Sequence, residues 1–140
     1  MTRNVIVVPP ELPLDAAYRV MERERIRHLP VVRAGALLGI ISDRDVLLRA
    51  RLDKNGTMHV PTDAVGGAMT LTPISAEVDT PVSSLVTLMT ERKIDAIPIV
   101  RGLRLVGLVT STDLLLLLVN LDEARPLPFE FRVEEMQLGM

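Results

Sequence analysis

The stretch Leu37-Leu-Gly-Ile-Ile-Ser-Asp-Arg-Asp45 returns in similar form as Leu105-Val-Gly-Leu-Val-Thr-Ser-Thr-Asp113. An offset of 68 residues superimposes the two stretches without a gap, and the match extends over about residues 5–49 and 73–117. Two copies are too few for a solenoid, which needs at least about three repeats. The sequence therefore predicts a pseudo-two-fold pair in which each copy covers the apolar face of the other.

Each copy is predicted to fold in the order β-α-β-β-α. Proline at position 13 or 81 begins the first helix, because proline suits the first helical turn, and Gly35 or Gly102 marks the hairpin turn. The first copy is expected to have strands at 5–8, 29–32 and 37–41 and a second helix from about Asp43 to Leu52. In the second copy the expected strands are 72–76, 97–100 and 105–109, and the last helix runs from Ser111 to about Leu121. The predicted fold class is α+β, with both repeats in one compact module.

The expected boundaries follow from the repeat. They are 1–52 for the first repeat, 53–70 for a linker with an Asn-Gly turn signal, 71–121 for the second repeat and 122–140 for a tail. The tail contains both phenylalanines of the chain, and 129–133 has the composition to form an extra edge strand. The apolar run 114–119 predicts a helix that is buried on several sides, against its own sheet and a second subunit.

Composition excludes several classes of protein. The chain of 140 residues is 48% hydrophobic, with two Phe, one Tyr, no Trp and no Cys, so its core is aliphatic and disulfide or thiolate chemistry is excluded. Its apolar runs are far shorter than the roughly 20 residues of a membrane span. A net charge of −2 gives no reason to expect nucleic acid, and two unclustered histidines predict no metal site. The expectation is a cytoplasmic protein without membrane or nucleic-acid partners.

The chemistry of the repeated stretch is concentrated in Ser42-x-x-Asp45 and Thr110-x-x-Asp113. One interpretation is a capping box, in which hydroxyl and carboxylate bond reciprocally to backbone N–H groups at a helix start. The other is a ligand corner, because a helix N-terminus favours anions and a carboxylate accepts hydrogen bonds from vicinal ribose hydroxyls. The two interpretations are compatible, and the local sequence leaves both open.

Both copies also carry a strand motif ahead of that stretch, His28-Leu-Pro-Val-Val32 and Ile97-Pro-Ile-Val100. Together the motifs resemble the cystathionine β-synthase (CBS) domain in tandem, over about residues 4–120. The resemblance implies two clefts between the repeats that bind adenosine-type ligands such as AMP, ADP, ATP or S-adenosylmethionine. It also implies a regulatory sensor rather than a catalyst, and a homodimer. No other cofactor is expected to be required.

The resemblance also implies the site residues. Asp45 and Asp113 are expected to bind ribose, with Ser42 and Thr110 near ribose or phosphate. The remaining expected nucleotide contacts are Arg27, His28, Arg44, Ile97, Pro98 and Thr112. The apolar candidates for the base pocket are Ile6, Leu29, Ile40, Ile74, Ile97 and Leu108.

The two copies differ in charge around the motif. Arg27, His28 and Arg44 belong to the first copy, whereas Asp95 occupies the position of Arg27 in the second. A phosphate beside Asp113 would need cations from the other repeat. The sequence hypothesis is therefore that the Asp45 cleft favours a phosphorylated ligand.

Three functions compete. The first is a free-standing nucleotide-sensing module that acts on a separate, unidentified partner. The alternative is a purely structural dimerisation module that binds no ligand. An enzyme ranks last, because the sequence shows no nucleophile with a base and no metal cluster.

Overall fold

The computed structural model describes residues 4–119 and 126–136. The first repeat contains α1 (Leu14–Glu24), β1 (His28–Arg33), β2 (Ala36–Ser42) and α2 (Asp43–Leu47). Next come β3 (Arg51–Leu52), β4 (Met58–His59), a 3-10 helix (Val65–Gly67) and β5 (Thr70–Leu71). The second repeat contains β6 (Ala76–Glu77), α3 (Val82–Arg92), β7 (Ala96–Arg101), β8 (Arg104–Thr110) and α4 (Ser111–Val119). The α+β fold class and the two-repeat architecture are confirmed.

One mixed sheet joins the two repeats. Its order is β1-β2-β8-β7-β6, with β5 paired to β2, so the two hairpins lie side by side. Both hairpins shift register at equivalent places, between Val31 and Val32 and between Ile99 and Val100. The repeat seen in the sequence therefore extends to the irregularities of the backbone.

The two hairpins contact each other next to their turns. Leu37 N–H donates to Leu103 O at 3.1 Å, and Leu105 N–H donates to Gly35 O at 3.0 Å. The offset of 68 residues converts one of these bonds into the other, so the pseudo-two-fold axis passes between them. The turns themselves are as expected, since Gly35 and Gly102 have φ angles of 83° and 62°, a conformation that favours glycine.

The long helices α1 and α3 begin and end alike. Pro13 and Pro81 occupy the N-cap positions, and each helix ends at a residue in the left-handed conformation, Arg25 with φ 56° and Lys93 with φ 54°. The hydrogen bonds of Ile26 N–H to Met21 O and of its repeat counterpart then turn the chain towards the next strand. Each helix end thus places a cation just before the first strand of a hairpin, β1 or β7.

Each repeat has its own aliphatic core. The first core contains Leu14, Leu29, Val31, Ile41 and Val46, all with no exposed surface. The second core is smaller and consists of Ala76, Leu85, Met89, Ile97 and Ile99. Of these five, Ile97 alone has no exposed surface, so the second core is also the shallower one.

Glycine at position 39 is required by a close backbone approach. A Cβ atom there would lie 2.6 Å from Thr70 O, because β5 pairs directly over Gly39. The equivalent Gly107 faces no such contact, since its Cβ would lie 3.5 Å from the nearest heavy atom. The strand β5 can therefore pair with β2 only because residue 39 has no side chain. This pairing places Thr70 close to the end of β2.

The predicted extent of the second helix was wrong. The helix α2 ends at Leu47 rather than near Leu52, and β3 pairs with β4 as a small hairpin that begins in the predicted end of the helix and extends into the predicted linker. The Asn-Gly turn is confirmed there, with Gly56 N–H donating to Asp53 O at 3.1 Å. Hydrogen bonds from His59, Thr57 and Asn55 hold the pKa of Asp53 below its usual value. The small hairpin therefore occupies residues 51 and 52, which were predicted to be helical.

The outer strands and the tail also differ from expectation. The strand predicted at 5–8 is reduced to a single bridge at Val8, and the one predicted at 72–76 lies at Ala76–Glu77. The predicted edge strand at 129–133 was wrong, because residues 126–136 form no strand and are exposed. The described part of α4 has no fully buried side chain, although Leu114 packs against the second core. The predicted burial of this helix against a second subunit stays a prediction. The predicted end of that helix, near Leu121, lies outside the described residues.

Among the helices of the described residues, none has the length and apolar character needed to cross a membrane.

Candidate functional site

Two clefts lie at the ends of the central strands, and each is built from both repeats. The larger, called the Asp113 cleft, has a volume of about 410 Å³ and is lined by Thr110, Thr112 and Asp113 together with Ile6, Arg25 and Arg27. The smaller, called the Asp45 cleft, has a volume of about 280 Å³ and is lined by Ile40, Ser42 and Asp45 together with Ile74, Lys93 and Asp95. The same offset of 68 residues relates the two linings, so the clefts are two versions of one site.

The Ser/Thr-x-x-Asp corner of each cleft is a complete capping box. Ser42 N–H donates to Asp45 Oδ2 at 2.9 Å, and Asp45 N–H donates to Ser42 Oγ at 3.1 Å. In the second copy Thr110 N–H donates to Asp113 Oδ2 at 2.8 Å, and Asp113 N–H donates to Thr110 Oγ1 at 3.3 Å. The capping interpretation is therefore confirmed at both corners.

The cap does not exclude a ligand. It engages Oδ2 of each carboxylate and fixes the orientation of the whole group, which is half-buried at the cleft wall. An ionised carboxylate has about four acceptor sites and no donor, so it can accept from the cap and from hydroxyl groups at once. The corner thus presents an oriented acceptor whose position is fixed before any ligand arrives.

The start of each central hairpin is anchored to the corner of its own repeat. Asp43 N–H donates to Arg27 O at 2.9 Å, and Ser111 N–H donates to Asp95 O at 2.9 Å. These equal bonds give Arg27 and Asp95 equivalent backbone positions. The side chains at these two positions have opposite charges. The two clefts therefore have equivalent backbone conformations and different electrostatics.

The expected grouping of Arg27 and Arg44 around Asp45 was wrong, whereas His28 lines the Asp45 cleft as expected. Arg27 lines the Asp113 cleft, although it belongs to the first repeat, and His28 lines both clefts. Arg44 is exposed and lines neither cleft. The physical reason is the reciprocal arrangement of the repeats, which places the residues before each hairpin opposite the corner of the other repeat. The Asp113 cleft, and not the Asp45 cleft, therefore contains the arginines.

His28 lies between the clefts and is half-buried. Burial lowers the pKa of His28 below its usual value, and the positive charge of Arg27 lowers it further. The carboxylates of Asp43, Asp95 and Asp45 act in the opposite direction but do not reverse the shift. The imidazole is therefore mostly neutral at pH 7, when it offers one donor and one acceptor.

The predicted apolar residues divide into cleft walls and core. Ile6 and Leu108 line the Asp113 cleft, and Ile40 and Ile74 line the Asp45 cleft. The other three predicted residues, Leu29, Ile97 and Pro98, line neither cleft and are fully buried. They lie on β1 and β7, where consecutive residues are buried on both faces of the strand. Which of the cleft residues bind a nucleotide stays a prediction.

Sequence reasoning missed Arg25, Lys93 and Thr70. Arg25 and Lys93 are equivalent in the repeat, and each ends its helix in the left-handed conformation beside a cleft. A basic residue at the same place in both copies was the signal that could have found them. Thr70 had no such signal, because its place in the Asp45 cleft depends on the pairing of β5 with β2.

Among the residues that the structure describes, no three His, Asp or Glu side chains are grouped in a way that could hold a metal ion.

Known proteins share both the fold and the repeat. The crystal structure of the CBS domain pair of protein MJ0100, in complex with 5′-methylthioadenosine and S-adenosyl-L-methionine, is 27% identical with a TM-score of 0.70, covering 86% of this chain and 92% of that one. The structure of CBSX2 in complex with AMP is 25% identical with a TM-score of 0.72, covering 84% and 89%. A CBS domain-containing protein of Dictyostelium discoideum is 31% identical over 135 residues, which are 90% of this chain and 92% of the relative.

Other relatives are longer proteins in which the match is only one segment. The homoserine O-acetyltransferase of Methanohalobium evestigatum is 26% identical over 116 residues, and this chain spans 22% of its length. The chain spans 21% of the inosine-5′-monophosphate dehydrogenase of Thermoplasma acidophilum. These similarities concern the matched segment and carry no enzyme activity over to this chain.

The model of the CBS domain family matches residues 1–51 and 65–120, one match for each repeat. The matches, the reciprocal hairpins and the two related clefts agree, and the chain belongs to the CBS domain family.

Proposed function

We propose that this CBS pair is a regulatory module that binds an adenosine-containing ligand in its clefts and reports its presence to a separate protein. The candidate ligands are AMP, ADP, ATP and S-adenosylmethionine. The observation that carries the proposal is the pair of oriented carboxylates, Asp45 and Asp113, each at the wall of a cleft built by both repeats.

The shape and chemistry of the clefts support an adenosyl ligand. Volumes of about 280 and 410 Å³ lie near the lower end of the range for small-molecule sites, which is roughly 300–1,000 Å³. In each cleft two apolar side chains, Ile6 with Leu108 or Ile74 with Ile40, accompany the polar corner. A flat base suits the apolar pair, and the vicinal hydroxyls of a ribose suit the carboxylate.

The complexes of similar CBS proteins support the same class of ligand. CBSX2 has been solved with AMP, and the MJ0100 pair with 5′-methylthioadenosine and S-adenosyl-L-methionine. The three molecules share an adenosine group and differ at the 5′ position. We take the adenosine group to be the part that this chain also recognises.

Thermal and chemical unfolding in the presence of ligand tests the proposal. A ligand that binds only the folded state is expected to raise the free energy of unfolding by about 2.7 kcal/mol at a hundredfold excess over its dissociation constant. The measurement is the unfolding transition of the purified protein with AMP, ADP, ATP and S-adenosylmethionine in turn. Cytidine monophosphate is the control, because it retains ribose and phosphate and changes the base. The proposal fails if none of the four adenosyl compounds shifts the transition.

The competing function is a structural dimerisation module without a ligand. One observation favours a dimer, since Leu115, Leu116, Leu117, Leu118 and Val119 of α4 are between 48% and 63% exposed, which is unusual for consecutive apolar residues. The homodimer is therefore part of the proposed function. A purely structural module predicts the same dimer and no shift with any adenosyl compound.

The variant Leu115→Glu is expected to weaken the dimer, because it places a charge in the apolar face of α4. Sedimentation equilibrium or light scattering would show a shift towards monomer at micromolar concentration. The matched control is Leu103→Glu, which makes the same change at a side chain that is 84% exposed in the β7–β8 turn. The homodimer proposal is contradicted if both variants keep the mass of the unaltered protein.

A further inference from the structure

We infer that the Asp113 cleft accepts the phosphate groups of a 5′-phosphorylated adenosine, whereas the Asp45 cleft is selective for an adenosyl group without phosphate. This inference rests on the proposed function and adds to it which cleft takes which class of ligand. It also names Arg25 and Arg27 as the side chains that make the distinction.

The charged side chains of the two clefts carry the inference. Two guanidinium groups, Arg25 and Arg27, line the Asp113 cleft, and one ammonium group, Lys93, lines the Asp45 cleft. Asp95 and His28 line both clefts and therefore do not distinguish them. If Asp45 and Asp113 are left out, the charged side chains that line the Asp113 cleft sum to a positive formal charge, and those that line the Asp45 cleft sum to zero.

The difference lies in side chains and not in the backbone that holds them. Arg25 and Lys93 have φ angles of 56° and 54° at the ends of equivalent helices. The carbonyl oxygens of Arg27 and Asp95 accept equivalent hydrogen bonds of 2.9 Å. Each arginine therefore has a matched position in the other cleft, occupied by lysine in one case and by aspartate in the other.

The chemistry of these side chains favours phosphate in the Asp113 cleft. A guanidinium group presents a planar fork that matches two phosphate oxygens, which an ammonium group cannot do. Thr112 adds a hydroxyl donor to the same cleft. Its counterpart in the first repeat, Arg44, does not line the Asp45 cleft. The position equivalent to Arg27 carries Asp95, whose carboxylate lines both clefts, but only the Asp113 cleft has two guanidinium groups to offset it.

Calorimetric titration of the full chain with AMP and with adenosine tests the inference. Arg25→Ala and Arg27→Ala are each expected to weaken AMP binding by about tenfold, the effect of a lost charge-assisted hydrogen bond, and to leave adenosine binding unchanged. The loss is expected to shrink at high salt, because both arginines are exposed and screened. Circular dichroism confirms that these surface variants are folded.

The comparison variants are in the other cleft. Lys93→Ala and Asp45→Asn are expected to weaken AMP binding less than Arg25→Ala and Arg27→Ala do, whereas Asp113→Asn lowers it strongly. If Lys93→Ala and Asp45→Asn weaken AMP binding while the arginine variants do not, the inference is overturned and the proposed function stands. Equal losses for AMP and adenosine in Arg27→Ala also overturn it, because such losses would show a structural role. Failure of every adenosyl compound to bind the unaltered chain overturns both proposals.

Discussion

Replacing Leu29 with alanine is expected to lower the free energy of unfolding by about 2–5 kcal/mol, the usual cost of a large-to-small change in a well-packed core. Leu29 has no exposed surface and belongs to the core of the first repeat. The family resemblance implied that Leu29 lines the base pocket, whereas in the structure Leu29 belongs to the core and lines neither cleft. Urea unfolding followed by circular dichroism measures the effect.

The matched control is Ile74→Ala. Ile74 was predicted for the same base pocket, but it lines the Asp45 cleft and is 38% exposed. Its truncation is expected to cost much less stability and to weaken the binding of an adenosyl ligand in that cleft. A stability loss for Leu29→Ala no larger than that for Ile74→Ala would contradict the assignment of Leu29 to the core.

The double variant Asp45→Asn/Asp113→Asn is expected to lose most of the affinity for both AMP and adenosine. A hydrogen bond to a charged group contributes about 1.5–3 kcal/mol, so each cleft should lose about 10–150-fold in affinity. Asparagine keeps an acceptor oxygen for the capping bond, so the helix starts remain capped. The expected cost in stability is about 0.3–1 kcal/mol for each charge removed from a helix N-terminus. Calorimetry and urea unfolding measure the two effects on the same samples.

The control for the double variant is Asp79→Asn. Asp79 is exposed in the loop before α3 and lines neither cleft. It should change neither affinity nor stability measurably. If the double variant binds as tightly as the unaltered protein, the two aspartates are helix caps alone. A ligand that still bound would then need a different site.

Much of the fold was predictable because the same sequence pattern occurs twice in the chain. The central hairpins and long helices could be located from patterns that support each other at a fixed offset, as Pro13 and Pro81 do. Two strand pairings that occur only once were missed. The Asn-Gly turn was predicted, but the small hairpin of β3 and β4 around it also depends on the Asp53 side chain. The pairing of β5 with β2 joins segments about 30 residues apart and depends on the missing side chain of Gly39.

The candidate site was predictable in its residue types but not in its grouping. The corners with Asp45 and Asp113 could be recognised because a helix cap has a fixed local spacing. The partners from the other repeat are distant in sequence, 48 residues between Lys93 and Asp45 and 86 between Arg27 and Asp113, and Arg27 was assigned to the nearer corner by default. Arg27 shows the consequence, because its carbonyl oxygen bonds within its own repeat while its side chain lines the cleft of the other.

The narrow junction between the hairpins has a consequence for dynamics. Besides the two backbone bonds that join Leu37 to Leu103 and Leu105 to Gly35, the two described hairpins share one paired position, Ala36 with Arg104. The short strand β5 adds pairs with Gly39 and Ile40 of β2. The core of the second repeat is also the shallower of the two. Local opening of a protein occurs in cooperative units of unequal stability, and we expect the second repeat to be the unit that opens first.

Under the proposed function, a ligand bound in either cleft would contact both repeats and hold them together across this junction. We propose that the ligand concentration then sets how often the second repeat opens, and that the regulated protein responds to that frequency without a large rearrangement of the module.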